Sequence, residues 1–223
     1  MKRKIITTSD GSTTIHIEEW DEQYHSVHGA IQETEHIFIK QGLHESFKDD
    51  LDCINILEIG FGTGLNAFIT CIEAEKQETP INYIGVEGYP ISKEEKEQLN
   101  YGALLPESNV ENFNTIHEIS WEKPHQIHSK FILTKRQQLF YQITDSHCFN
   151  LIYFDAFGAR VQPELWTEDI FKIMFNALKT DGILVTYSAK GSVRRAMQAV
   201  GFTVERLDGP PGKREMLRAR KVC

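Results

Sequence analysis

Short apolar runs alternate with stretches of helical spacing along the chain, and this alternation sets the expected architecture. Residues 3 to 17 read as a hairpin, with Ile5–Ile6 and Ile15–Ile17 around the turn cluster Ser9-Asp10-Gly11-Ser12. Ala30, Ile31, Thr34, Ile37 and Phe38 then fall near helical spacing, and Gly42 is expected to end that helix. From residue 54 strands and helices alternate. Ile54–Ile59, Ile81–Val86, Phe131–Thr134, Leu151–Phe154 and Gly182–Ser188 read as strands. Helices are expected after the first strand to about Lys76, and from the Ser92/Glu95 capping box to about Tyr101. Two more follow Thr167, with Ile170, Ile173, Met174 and Leu178 on one face, and run through Val193, Ala196, Met197 and Val200. Phe202–Leu207 and Glu215–Ala219 flank Asp208-Gly-Pro-Pro-Gly212 as a terminal antiparallel hairpin. Residues 106 to 128, holding Pro106 and Pro124, show no clean period. The pattern predicts an α/β fold: a mostly parallel, Rossmann-like sheet covered on both faces, preceded by a small β-hairpin plus helix.

Composition narrows the class. A hydrophobic fraction of 40% and 13 Phe among 223 residues are enough for a real core. No apolar run approaches the roughly 20 residues of a membrane helix, and no apolar stretch follows the basic N-terminus as in a signal peptide. Cys53, Cys71, Cys148 and Cys223 form no CxxC pair, and the nine His form no HExxH, so reduced thiols in the cytoplasm and no metal site are expected. The net charge of −8 excludes a wholly basic nucleic-acid binder. From Lys190 onward, however, nine Lys/Arg face three Asp/Glu. That stretch reads either as a local phosphate-binding surface or as a solvated, internally paired charge set.

The chemistry-bearing positions gather at strand ends. Gly60-Phe-Gly62-Thr-Gly64 joins a strand to a helix, where the backbone must turn sharply and approach a ligand without Cβ atoms in the way. The third glycine of a dinucleotide fingerprint would stand at position 65, which is Leu65, and the Lys-Ser/Thr of a phosphate loop is absent. Glu58 precedes the turn, and Glu87 closes the next strand 23 residues after Gly64. An ionised Glu there is an acceptor for the two hydroxyls of a ribose. A diol-binding acid beside a turn without phosphate chemistry suits S-adenosylmethionine. The rival reading is a packing turn with a surface Glu.

Asp155 closes Leu-Ile-Tyr-Phe-Asp beside Phe157, where an open α/β sheet meets its ligands. It reads as a proton acceptor for an amine nucleophile, or as a turn Asp. Thr186, Tyr187 and Ser188 end the neighbouring strand. Arg194 and Arg195 lie in the first turn of the next helix, as a phosphate clamp or as partners of structural acids. Lys213-Arg214 lies at the tip of the terminal hairpin, open to phosphate or to solvent alone.

These residues resemble the methyltransferase half of the bifunctional MnmC tRNA-modifying enzymes and its standalone MnmD-like form. The resemblance runs from Tyr24-x-Ser26-x-x-Gly29-x-x-x-Glu33 to Lys213-Arg214-Glu215-Met216. Between lie EIGFGTGLNAF (58–68), FDAF (154–157), PELWT (163–167) and YSAKGSVRRAMQAVGF (187–202). It implies a seven-stranded methyltransferase sheet over residues 46–223, with residues 1–45 packing over the site. It also implies methylation of 5-aminomethyl-(2-thio)uridine to 5-methylaminomethyl-(2-thio)uridine at the tRNA wobble position. By the same resemblance Gly60, Gly62 and Gly64 bind the cofactor, Glu87 takes its ribose and Asp155 orients or deprotonates the amine. Tyr24, Ser26 and Glu33 would belong to the covering segment. Nothing corresponds to the oxidoreductase half, so no FAD is expected.

Two departures stand out. Where the family commonly reads Ala-Pro-x-Lys-x-Pro after FDAF, this chain reads Gly158-Ala-Arg160-Val-Gln-Pro163. The acid expected near the third strand's end is replaced by Lys135-Arg-Gln-Gln138, leaving Gln137 as the candidate adenine contact. Two rival functions remain: a methyl or aminopropyl transferase for another amine, and a non-catalytic RNA-binding domain.

Overall fold

The computed structural model describes residues 2–47, 51–105 and 110–222; Pro106 and Cys223 lie outside the described residues. The chain opens with an antiparallel hairpin, β1 (Arg3–Thr7) and β2 (Thr13–Ile17), to which the two-residue β3 (Glu22–Gln23) adds. Among the described residues the main sheet has eight strands in the order β10-β11-β9-β8-β4-β5-β7-β6. Its parallel centre is β4 (Ile54–Ile59), β5 (Ile81–Val86), β7 (Phe131–Arg136), β8 (Phe149–Phe154) and β9 (Leu178–Thr186). The hairpin β10 (Thr203–Asp208) and β11 (Glu215–Arg220) pairs through β11 antiparallel to β9. The strand beyond the seven expected is β6 (Pro124–His128), antiparallel to β7 at the edge. Its polar sequence gives no alternation to read, and a proline is tolerated there because an edge strand has one unpaired side.

Successive strand residues point to opposite faces, so each buried strand feeds two cores. Ile56, Tyr83, Tyr153 and Val185 pack on one face with the helix Leu65–Glu75 and the N-terminal helix. Leu57, Ile59, Ile152, Phe154 and Leu184 pack on the other with Glu168–Ala177 and Gly191–Ala199. Thr167 caps the first of these at Ile170 N, as its sequence predicts.

The N-terminal helix differs from expectation. It runs as Ala30–Thr34, widens into a π-helical stretch over Glu35–Leu43 and closes with His44–Ser46. Gly42 does not end it. A Cβ there would sit 3.0 Å from Val185 Cγ2 and 3.2 Å from Tyr153, so the glycine lets the helix lie close on the sheet. The helix expected after Ser92 is also broken, into Lys93–Lys96 and Tyr101–Leu104. Between them Asn100 accepts from Thr13 N at 2.8 Å, tying this stretch to the opening hairpin. No helix among the described residues is long and apolar enough to cross a membrane.

Candidate active site

A cleft of about 1110 Å³ opens at the carboxyl ends of β4, β5 and β8. Its floor is the glycine turn. Gly60 and Phe61 donate their backbone N–H groups to Val86 O at 3.0 Å each, folding the turn across β5. Gly60 has φ 91°, and a Cβ on it would meet the Asp155 carbonyl at 2.7 Å; Gly62, at φ 49°, lies against the Tyr24 ring. Both dihedrals favour glycine, and at Gly60 the space allows nothing else.

Glu87 follows β5 directly. One carboxylate oxygen accepts from Gly62 N and the other from Tyr89 N, both at 2.9 Å. It therefore braces the glycine turn and the loop that faces it, and each oxygen keeps a lone pair for a further donor. The chain beyond β7 completes this end of the cleft with Leu139, Phe140 and Tyr141, opposite Gly88 and Tyr89.

Asp155 follows β8, with its N–H bonded to Ile59 O at 2.9 Å. Asn66 Nδ2, from the first turn of Leu65–Glu75, donates to Asp155 Oδ2 at 2.8 Å and to Glu58 Oε1 at 2.9 Å. The Asp155 carboxyl is pushed up to about 7, chiefly by burial and then by the charge of Glu33; Asn66 and Lys213 pull it back down. Glu58 is fully buried, and burial holds its carboxyl well above the usual range.

The two chain flanks close over Asp155. Lys213 Nζ, from the terminal hairpin, meets Glu33 Oε1 at 2.6 Å and lies 4.0 Å from the centre of the Tyr187 ring. Glu33 Oε2 accepts from Ser26 N at 2.8 Å, and Tyr187 donates its hydroxyl to Ala156 O at 2.8 Å. Tyr24 and Trp20 pack edge-on against Phe157, with ring centres 4.9 and 5.5 Å apart. Arg160 donates to the carbonyls of Trp20 and Asp21, each at 2.8 Å, and to Glu22 at 3.0 Å.

A glycine-floored, acid-braced cleft on such a sheet is the setting of a nucleoside-dependent transferase, and sequence comparison gives the family. Residues 107–222 match the model of the S-adenosyl-L-methionine-dependent methyltransferases. The chain belongs to that family.

Two relatives of the methyltransferase bear the name tRNA 5-methylaminomethyl-2-thiouridine biosynthesis bifunctional protein MnmC. That of Leptospira borgpetersenii is 28% identical over 214 residues, covering 90% of this chain and 32% of the relative. That of Cupriavidus metallidurans is 27% identical over 230 residues, covering 96% and 33%. The chain thus spans about a third of the length of these relatives. Among solved structures, MnmC2 from Aquifex aeolicus superposes with a TM-score of 0.77 at 25% identity, covering 98% of this chain and 70% of that one. Spermidine synthase from Thermotoga maritima shares the fold alone, with a TM-score of 0.59 at 14% identity, covering 98% and 69%.

Within the methyltransferase, Tyr24, Ser26, Glu33, Gly60, Gly62, Glu87, Asp155, Phe157, Tyr187 and Lys213 all line the cleft. Other sequence candidates lie elsewhere. Glu58 sits beneath the turn, and Gly64 begins the helix in a left-handed conformation. Gln137 is exposed, and its N–H is bonded to Glu122 Oε1. Ser188 is buried off the cleft, Arg195 and Arg214 are exposed, and Arg194 Nε is buried without a partner among the described residues. Arg160 is outside the lining and acts as a tie between two loops. Asn66, Leu139, Phe140, Tyr141 and Gln162 line the cleft without having been singled out in the sequence. Asn66 reads there as one more residue of the helix after the glycine turn, and its partners come from three other segments. Among the described residues no group of three or more His, Cys, Asp and Glu comes together as a metal site.

Proposed function

We propose that the protein methylates the 5-aminomethyl group of a wobble (2-thio)uridine in tRNA, giving the 5-methylaminomethyl nucleoside, and that it works in the cytoplasm. The names of the relatives support the substrate. The observation that carries the chemistry is Asp155, at a strand end in the cleft with its carboxyl pushed up to about 7.

The residues present fit S-adenosyl-L-methionine. Gly60 has no room for a Cβ, one on Gly62 would crowd the Tyr24 ring, and Glu87 presents two acceptor oxygens beside this floor. Leu139, Phe140 and Tyr89 offer an apolar wall suited to a purine, in place of the candidate Gln137. When bound, the cofactor supplies a methyl group on a sulfonium, which is transferred to nitrogen as the C–S bond breaks. Asp155 does the protein's part of that chemistry. A primary alkylammonium resembles Lys, with a pKa of about 10.4, and has no lone pair to attack with. Ionised Asp155 accepts one of its protons and holds the resulting amine in line. Tyr24, Trp20 and Phe157 exclude water on that side, and residues 1–45 form the cover over the domain of residues 46–223. Arg195 and Arg214, both exposed, are left for the phosphates of the tRNA.

The test is mass spectrometry of wobble nucleosides after incubating protein and cofactor with tRNA from a strain lacking this methylation. Methylaminomethyl nucleoside is expected. Transfer to polyamines with none to tRNA would replace this reading with another amine acceptor. Absence of saturable cofactor binding in calorimetry would leave a non-catalytic RNA-binding domain.

A further inference from the structure

We infer that Asn66 is the positioning residue of the reaction: its amide, locked by Thr34 and shared between Glu58 and Asp155, fixes the orientation in which Asp155 meets the acceptor amine. This deepens the reading of Asp155 as proton acceptor and rests on it.

An asparagine side chain has two N–H donors and one carbonyl acceptor. At Asn66 all are committed. The nitrogen donates to Glu58 Oε1 and to Asp155 Oδ2, and Thr34 Oγ1 donates to the carbonyl oxygen at 2.8 Å. The partners come from β4, from the end of β8 and from the helix Ala30–Thr34, while Asn66 itself stands in the first turn of Leu65–Glu75. Asn66, Thr34 and Glu58 are 2%, 0% and 0% exposed, so water cannot replace the bonds to Thr34 and Glu58 that hold the amide in place. Turning the amide over would set its carbonyl oxygen against two carboxyl groups and leave its N–H groups only the Thr34 hydroxyl as acceptor, an expensive exchange in a buried site.

The consequence falls on Asp155. Oδ2 is tied back to Asn66, and Oδ1 makes no hydrogen bond with the described residues while Asp155 lines the cleft. One oxygen is anchored and the other is left for the acceptor. The bond also favours the ionised form, since the N–H strengthens as charge develops on the oxygen.

Several groups act on the same carboxyl. Glu33 from the N-terminal helix opposes its ionisation, and the charge of Asp155 in turn helps to raise the Glu58 carboxyl on β4. Lys213 from the terminal hairpin favours it. Tyr187, beyond β9, and Tyr83, on β5, also feel its charge. Asn66 is the hydrogen-bond donor among them, and it sets direction as well as charge.

The test uses Asn66→Ala and Asn66→Ser, the second retaining a single donor. In the ligand-free protein, the Asp155 carboxyl is followed by carbon NMR with pH, its resonance assigned by its loss in Asp155→Asn. The expected result is a titration moved to higher pH in Asn66→Ala and less so in Asn66→Ser. The acid limb of kcat/KM should move in the same direction, with kcat lowered by roughly 10- to 100-fold in Asn66→Ala. Calorimetric affinity for the cofactor should change far less than turnover. If Asn66→Ala does not fold, Asn66→Ser carries the comparison. Titrations and pH profiles that superimpose on the parent's in the folded variants overturn the inference. Full turnover in Asp155→Asn would instead overturn the proton-acceptor reading, and the ligand-free titration would still report what Asn66 does to Asp155.

Discussion

Lys213 and Glu33, 180 residues apart in sequence, are joined at 2.6 Å above Asp155, so the terminal hairpin and the N-terminal segment meet over the cleft. Glu33 is 8% exposed in its side chain and Lys213 31%. Removing the cation leaves a nearly buried carboxylate with only the Ser26 N–H among the described residues, whereas removing both charges leaves neither group stranded. Lys213→Met should therefore lower stability by about 1–3 kcal/mol, and Glu33→Gln/Lys213→Met by clearly less than the sum of the single changes. Denaturant unfolding of the four proteins checks this; additive effects would show that the contact contributes nothing.

Asp155 makes stability depend on pH with a definite sign. Its carboxyl titrates near 7 in the folded protein against an ordinary 3.8. Between those values the folded form holds a proton that the unfolded chain has released. Stability from this group is therefore present at acid pH and lost as pH rises from about 4 to about 7. Asp155→Asn should be more stable than the parent at pH 8, by about 1–3 kcal/mol, with the gap closing toward pH 4. Melting temperatures at both pH values decide it, and a gap independent of pH would place the Asp155 titration elsewhere.

Glu87 holds two backbone N–H groups at once, and both belong to loops lining the cleft. Glu87→Ala should weaken S-adenosyl-L-methionine binding by roughly 10- to 100-fold, since charge-assisted bonds to both loops go together with the diol acceptor. Glu87→Gln, which keeps one acceptor oxygen, should fall between. Calorimetry measures it; parental affinity in the alanine variant would remove Glu87 from the nucleoside site.

Arg195 and Arg214 are exposed, whereas Lys213 is engaged with Glu33. Charge reversal at Arg195 and Arg214 together should weaken tRNA binding and reduce the slope of log K against log salt by about one to two. Lys213 is unsuited to that experiment because its loss also breaks the contact with Glu33. A salt slope equal to the parent's would return both arginines to the solvated surface.

The sequence discloses what is local and hides what is assembled. Strand, glycine turn and following helix are contiguous in Ile54–Lys76, and Glu87 and Asp155 each end an apolar run, so their places at strand ends could be read directly. β6 could not be read, because a polar edge strand opening on Pro124 has neither alternation nor an apolar run. Gly42 looks like a helix stop until Val185 and Tyr153 are brought against it. Arg194 and Gln137 were plausible by position along the chain, but the directions of their side chains are fixed by tertiary packing. Asn66 carries no mark at all: its significance lies in Thr34, Glu58 and Asp155, which only the fold gathers.

Within the sheet, β11 lies between β9 and β10, and the hairpin leading into it carries Lys213. The last strand thus slots in one place from the sheet edge, between strands laid down earlier. The Lys213–Glu33 contact spans 180 residues and must close a large loop before it returns any energy. The catalytic floor can take shape from the middle of the polypeptide alone. Its roof must wait for β11 to dock, so a nascent chain would own a bare nucleoside cradle before it owned a chamber in which to use it.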